Sequence, residues 1–378
     1  MKKTTLLIMA LATLLTTACT VSDNPSFGGD NNTGAGDHNV RRYMPITANT
    51  ESNNWWAAGC MAGDANNLFF MNIEDGTRRL YCRNEATGKL TILLEEENPE
   101  NVFWSRYAFI EDGYFYYCQL YNDSVTFNRV KTDLSQLPEK DYRKEKGIRL
   151  LSAFARQGKT IYFNSYDNAH ERCIKTWNLH TGEIKIIDMP EDIKNHVALA
   201  IEGRNLIAYK FIVVDNTIKY RIAKFDMTTG NKTILVEECN KNNKGTIMGG
   251  RLYYFDNNSL YSIDLDGNNL KTHLTDINII LINSHDGLIY IYAKDPDTNQ
   301  KSLYTYKPGD ISPQMVANDS NTMKLEISPY GDVAFFRSFG NYYNSIYYRG
   351  EKTSGTIEQL VPPGSTPQRL ETTITDRE

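Results

Sequence analysis

The chain has 378 residues, with 46 acidic against 41 basic side chains and a formal net charge of −5. That balance offers no electrostatic case for a nucleic-acid partner. Besides Cys19 there are Cys60, Cys82, Cys118, Cys173 and Cys239, widely spaced and without a CxxC pair, which argues against a disulfide framework or a zinc site.

The chain opens MKKTTLLIMALATLLTTAC. Lys2 and Lys3 make a short positive start, Leu6 to Leu15 an apolar core, and Thr16, Thr17 and Ala18 a small-residue approach to Cys19. This is the layout of a secretory signal peptide over residues 1–18, too short to span a membrane as a helix. The final residues resemble a bacterial lipobox, in which the cysteine takes lipid and becomes the new N-terminus. Thr16 departs from the usual leucine of that motif, and ordinary cleavage after Ala18 is the alternative. Residues 19–40 are rich in Gly, Asn, Asp and Ser, and between Thr20 and Asn39 the large apolar residues are Val21 and Phe27. Such a stretch cannot bury enough surface to offset its ordering entropy, so it reads as a flexible tether.

Residues 41–363 carry no further Pro/Gly/Ser-rich linker and no apolar run fit to cross a bilayer, and they repeat. Aromatic and β-branched runs begin at Leu68, Tyr114, Thr160, Leu206, Leu252, Leu288 and Val333, at steps of 46, 46, 46, 46, 36 and 45 residues. An apolar stretch and a turn precede each run, the turn often carrying glycine (Gly113, Gly158, Gly203, Gly250, Gly287, Gly331). A polar loop, a third strand such as CIKTWNL or YRIAKFD, a tight turn (ATGK, HTGE, TTGN, LDGN) and a last strand such as KTILVE follow. Four strands in up-and-down order, repeated about every 45 residues, predict an all-β fold. It is a β-propeller of four-stranded antiparallel blades, seven in number, with six as the alternative. Arg41–Thr47 could add a strand to the last blade, Trp55 and Trp56 read as first-blade core, and residues 364–378 as a disordered tail. The cysteines, set among apolar and aromatic neighbours as in YFYYCQL, read as buried free thiols. One disulfide is the alternative in an oxidising compartment.

The block LYYFDNNSLYSIDLDGNNLKTHLTD, Leu252 to Asp276, resembles a bacterial propeller domain of unknown function. That domain is related to the low-density-lipoprotein-receptor-like (TolB/YWTD-like) β-propellers. Leu252, Tyr253, Tyr254, Leu260, Tyr261, Asp264, Asp266, Gly267 and Leu270 carry the resemblance. The YWTD motif itself and a WD dipeptide at blade ends are absent. The resemblance implies a fold and no particular chemistry. Lipobox, tether and propeller together also look like the surface lipoproteins of gut Bacteroidota.

Candidate sites are few. DLDGN at Asp264 starts like a calcium loop but has Thr275 where the twelfth-position carboxylate belongs, so it reads as a turn. DPDTN at Asp295 reads as a polar hairpin loop, with calcium as the alternative. The histidines form no metal-ligand spacing: His180 and His285 fall in turns on one rim, His170 and His196 in loops on the other. No nucleophile elbow or Walker loop is present, and EEENPEN (Glu95 to Asn101) reads as a solvated acidic loop. The repeat places Trp104, Tyr121, Tyr166, His170, Phe211, Phe339, Tyr342 and Tyr343 on the rim where second strands meet third strands. Exposed aromatics there can stack on sugars or anchor a protein; packing between blades is the alternative. Ser124, in DSV, matches an O-glycosylation acceptor pattern of exported Bacteroidota proteins. These features predict a binding or scaffold module for a glycan or protein partner, held at the cell envelope, outer membrane or cell surface, by lipid on Cys19. No cofactor is expected. The alternatives are a propeller-based lyase or hydrolase, and a structural subunit of an envelope complex.

Overall fold

The computed structural model describes residues 61–370 except 65, 75, 98–102, 121–123, 147–153, 167–170, 188–195, 241–244, 286, 319–322, 331–332, 342–343 and 352–356. Every regular element among the described residues is a strand. The first unit is β1 (Met61–Gly63), β2 (Asn67–Glu74), β3 (Thr77–Asn84) and β4 (Leu90–Glu97). The second is β5 (Phe103–Glu111), β6 (Tyr114–Leu120), β7 (Ser124–Lys131) and β8 (Glu139–Lys146). The third is β9 (Phe154–Gln157), β10 (Thr160–Tyr166), β11 (Arg172–Asn178) and β12 (Ile184–Ile186). The fourth is β13 (Val197–Glu202), β14 (Asn205–Val214), β15 (Thr217–Asp226) and β16 (Lys232–Cys239). The fifth is β17 (Thr246–Met248), β18 (Arg251–Asp256), β19 (Ser259–Asp264) and β20 (Lys271–Leu274). The sixth is β21 (Asn278–His285), β22 (Leu288–Lys294), β23 (Lys301–Tyr306) and β24 (Gln314–Asn318). The seventh is β25 (Met323–Tyr330), β26 (Val333–Asn341), β27 (Asn344–Glu351) and β28 (Ile357–Gln359), and β29 (Gln368–Arg369) ends the described chain.

Each aromatic run therefore becomes the second strand of an antiparallel meander, and the units are four-stranded blades of a propeller. The expectation of seven separate blades needs correction: the described residues form six sheets, five of four strands and one of nine. The nine-stranded sheet holds the first and seventh units plus β29, joined where Ile73 of β2 pairs Ser345 of β27. The reason is local. Strands β1 and β28 are three residues long and cover only part of β2 and β27. Their uncovered backbone groups need partners, and each supplies the other's. The 36-residue step corresponds to the fifth unit, a complete sheet whose strands are only three to six residues long.

Blades cohere through apolar faces shared with the next blade. Phe69 of the first stacks on Phe115 of the second, ring centroids 4.7 Å apart at 10°, both rings fully buried. Phe127 of the second meets Trp177 of the third edge-on at 5.4 Å. Tyr209 and Ile222 of the fourth share a cluster with Leu252 and Tyr254 of the fifth. Cys82, Cys118, Cys173 and Cys239 are buried and form no disulfide; burial pushes the Cys82 thiol up to about 12. Residues 364–370, expected within a tail, instead close over the first blade. Strand β29 runs parallel to β4, the Leu370 N–H donates to the Ile92 carbonyl at 2.9 Å, and Arg369 pairs Glu95 at 2.5 Å.

One turn chemistry recurs at three of the junctions between third and fourth strands. In NLHTGE the Asn178 Oδ1 accepts the N–H groups of His180 (2.9 Å) and Thr181 (3.1 Å), and Gly182 takes φ 81°. Asp226 accepts in the same way in DMTTGN, and in NEATGK the Asn84 Oδ1 accepts the Thr87 N–H and the Thr87 hydroxyl. An Asx oxygen satisfies N–H groups that the hairpin leaves over, and glycine accommodates the left-handed backbone. Replacing Asn178 with alanine is expected to cost about 1 kcal/mol, while Asn178→Asp keeps the acceptor and most of the stability. Denaturant midpoints of the two variants check this; equal midpoints would remove the turn from the account.

Candidate binding site on the blade rim

The stretch KFIVVDNTIKYRI, Lys210 to Ile222, is apolar throughout Phe211 to Val214, turns at Asp215 and Asn216, and then alternates Ile218, Tyr220 and Ile222 with polar residues. Asp215 and Asn216 both have positive φ, 48° and 58°, the geometry that closes a two-residue hairpin with the native strand twist. Strands β14 and β15 thus run ten residues each. Their neighbours stop earlier: β13 pairs β14 no further than Tyr209, and β16 pairs β15 no further than Tyr220. The hairpin outgrows its own blade.

Residues opposite one another share a face, and here the pairs are Tyr209 with Ile222, Phe211 with Tyr220, and Val213 with Ile218. The innermost pair is buried against the fifth blade, where burial pushes the Tyr209 hydroxyl up to about 12, with Tyr220 adding to it. The outer pairs continue that face past the blade edge: Phe211 is 51% exposed, Val213 74% and Ile218 60%. Phe211 packs on Tyr220 at 5.0 Å and on Tyr209 at 5.9 Å. Below this wall the fifth blade turns back in two residues, Asn257 and Asn258 (φ 45° and 62°). The floor there is polar. The Asn240 N–H donates to Asp256 Oδ1 and Asn240 Nδ2 donates to Asn257 Oδ1, both at 2.8 Å. Lys219 reaches Asn240 Oδ1 from the hairpin. The result is a ledge with an apolar wall and an amide and carboxylate floor.

The sequence-predicted rim residues take these places. Phe211 is on the wall, Tyr166 ends β10 half-buried, Trp104 lies in β5 opposite Gln119, and Phe339 lies in β26 opposite Ser345. Tyr121, His170, Tyr342, Tyr343, Cys19, Trp55 and Trp56 lie outside the described residues, as does Arg41–Thr47. Ser124 opens β7 and is 4% exposed, so a sugar on it requires that strand end to open. His196, expected in an exposed loop, is buried, its carbonyl accepting Asn164 Nδ2 at 2.6 Å and its ring edge-on to Phe225. His285 ends β21 rather than standing in a turn. The Asp264 carboxylate meets Arg251 and accepts Asn269 Nδ2 at 2.6 Å, and Asp295 Oδ1 accepts the N–H groups of Asp297 and Thr298. Both motifs are therefore hydrogen-bonded turns. Among the described residues no three His, Cys, Asp or Glu side chains gather as a metal site. Sequence reasoning missed Val213, Ile218 and Tyr220, although the alternation after the Asp-Asn turn signals the last two and the pairing across the turn then brings in Val213. Nothing in the sequence signals that Asn240 and Asn257 adjoin them.

A second feature, also missed, is a cleft of about 580 Å³ on the opposite rim between the fifth and sixth blades, lined in part by Arg251, Lys271, His273 and Tyr306. Arg251 Nε donates to Ser262 Oγ at 3.0 Å, Ser262 meets His273 Nε2 at 2.7 Å, and His273 Nδ1 faces the Tyr306 hydroxyl at 3.4 Å. Arg251 can only donate, so Ser262 Oγ accepts from it and keeps its own proton and a second lone pair for His273 Nε2. Burial, then the Arg251 and Lys271 charges, hold the His273 pKa below the ordinary imidazole value. The unfolded chain therefore takes up this proton first. Stability from His273 is complete above about pH 6.5 and declines as pH falls through the window between the unfolded and folded values. Urea midpoints at pH 7.5 and 5.5 should differ less in His273→Gln than in the wild type; an undiminished difference would assign the effect elsewhere.

No protein-family model matches the sequence, and no curated protein matches it. Among solved structures the chain is similar to a prolyl endopeptidase, with TM-score 0.56 and 11% identity over 82% of this chain and 50% of that one. It is similar to an uncharacterized Listeria monocytogenes EGD-e protein (TM-score 0.53, 10% identity, 85% and 98% of the two chains). A third is an oligogalacturonate lyase solved in complex with manganese (TM-score 0.51, 11% identity, 78% and 84%). The likeness is one of fold. This propeller spans half the length of the endopeptidase it matches, and a fold shared at such identities does not specify a chemistry.

Proposed function

We propose that this chain is a lipid-anchored propeller of the bacterial cell envelope, acting as a binding or scaffold module for a glycan or protein partner. The observation that carries the reading is the β14–β15 hairpin, which leaves Phe211, Val213 and Ile218 exposed together on one face. Exposed apolar clusters of this kind mark interaction surfaces. The N-terminal layout supports the rest: lipid on Cys19 fixes one end and residues 19–40 let the folded part stand off. A photo-crosslinking residue at position 218 on intact cells should yield an adduct that the same probe at position 307, on the opposite rim, does not. Equal or absent adducts at both positions would overturn the reading. Metabolic labelling with a fatty acid should mark the wild type and not Cys19→Ala.

A second reading, a carbohydrate-active lyase or hydrolase, draws on the fold likeness to the oligogalacturonate lyase. A stoichiometric transition metal in the purified protein would favour it. A structural role in an envelope complex would show as stable co-purification from membranes, independent of position 218.

A further inference from the structure

We propose that the ledge between the fourth and fifth blades is a subsite for a neutral polysaccharide, one sugar ring resting on Phe211 with its hydroxyl edge turned to Asn240, Asp256 and Asn257. This deepens the binding-module reading and rests on it. The wall and the floor belong to one another by register. Tyr209 and Ile222 face the fifth blade's Leu252 and Tyr254, so Phe211 and Tyr220, next along the same face, stand over that blade's short Asn257–Asn258 turn. The floor is already ordered. Asn257 Nδ2 donates to Asp256 Oδ2 at 3.1 Å, and Asn240 bridges Asp256 and Asn257 from the end of β16. The amide and carboxylate oxygens in this chain can each accept more than one hydrogen bond, so the array can take hydroxyl donors without breaking.

The chemistry of the two surfaces selects the occupant. A pyranose ring is apolar on its C–H face and polar at its hydroxyl edge, and an aromatic wall meeting an amide floor matches both at once. A lipid surface would strip water from the Asp256 carboxylate with no donor in return. A purely apolar protein patch would do the same to Asn240 and Asn257. Lys219 and Asp256 cancel in charge at the floor, which favours neutral over acidic sugars.

The test is affinity gel electrophoresis of the full chain in gels holding xylan, mixed-linkage β-glucan, galactomannan or α-mannan, with chondroitin sulfate as the acidic comparison. At least one neutral polysaccharide should retard the wild type more than chondroitin sulfate does. Phe211→Ala should weaken that retention tenfold or more. Asn257→Gly, which keeps the left-handed turn, should weaken it at least threefold, both variants melting as the wild type does. No retardation in any neutral gel overturns the proposal, and so does retention that survives both substitutions. Loss with Phe211→Ala but not with Asn257→Gly also overturns it, since the wall alone would then bind, as for an apolar protein surface. A protein adduct at position 218 without gel retention would leave the module reading standing and remove the sugar.

Discussion

Phe115→Ala is expected to cost about 3–5 kcal/mol of folding stability, the range for truncating a large aromatic in a packed core. The ring has no exposure and stacks on Phe69 across the seam between the first two blades, with Tyr117 at 5.8 Å on its own strand. Deleting it removes apolar area from two sheets at once, and neither can collapse into the gap without shifting its strand ladder. The comparison is Ile311→Ala, at a fully exposed isoleucine, which should fall within about 0.5 kcal/mol of the wild type. Denaturant unfolding of both decides it. A loss below about 1.5 kcal/mol for Phe115→Ala would mean that the seam relaxes far more readily than close packing allows.

Ending the chain at Gln359 should be comparably damaging, at about 3–6 kcal/mol, because it removes two buried side chains worth about 1.5–3 kcal/mol each. Leu360 is fully buried and Val361 7% exposed. The same deletion takes away β29, which covers the edge of β4, and Leu370, which packs on the cluster of the first two blades. The Arg369 ion pair with Glu95 is not the main contributor. Its side chain is 65% exposed, so Arg369→Ala should cost well under about 1 kcal/mol. Glu95 remains held by Arg79 at 2.5 Å, whose hydrogen bond keeps that carboxyl below the usual range. Thermal melts of the truncated chain and of Arg369→Ala separate packing from charge. If the two lose equally little, the C-terminal segment is an ornament on the first blade.

The blades were legible because their signals are local. The runs LFFM, YFYY, TIYF, LIAY, LYYF, LIYI and VAFF recur at nearly constant spacing, and all became second strands. The turns NEATGK, NLHTGE and DMTTGN announce themselves by an Asx residue, a threonine and a glycine at fixed offsets. The buried cysteines followed from their apolar neighbours in the same way. What could not be read was whatever depends on residues distant in the chain. The merging of the first and seventh units turns on how much of β2 and β27 their short neighbours leave uncovered, and that is a matter of register. The burial of His196 depends on Phe225 and Asn164, from its own and the preceding blade. Residues 364–370 lack any strand-like pattern and were expected to be loose, yet a ready edge on β4 orders them.

The candidate site divides along the same line. Phe211 was picked out as a rim aromatic because the repeat places it past the end of a second strand. Its partnership with Tyr220 and Ile218 follows from alternation once the Asp215–Asn216 turn sets the pairing. The floor beneath them does not follow, because Asn240, Asp256 and Asn257 come from a neighbouring strand end and the next blade. Composition and period, then, determined on their own that this chain builds four-stranded antiparallel units, since hydrophobic alternation and turn chemistry act over a few residues. Tertiary structure alone decided which edges fuse, which histidine is buried and where an apolar wall meets a polar floor. Those outcomes depend on how sheets of unequal length fit against one another, and no single repeat contains that information.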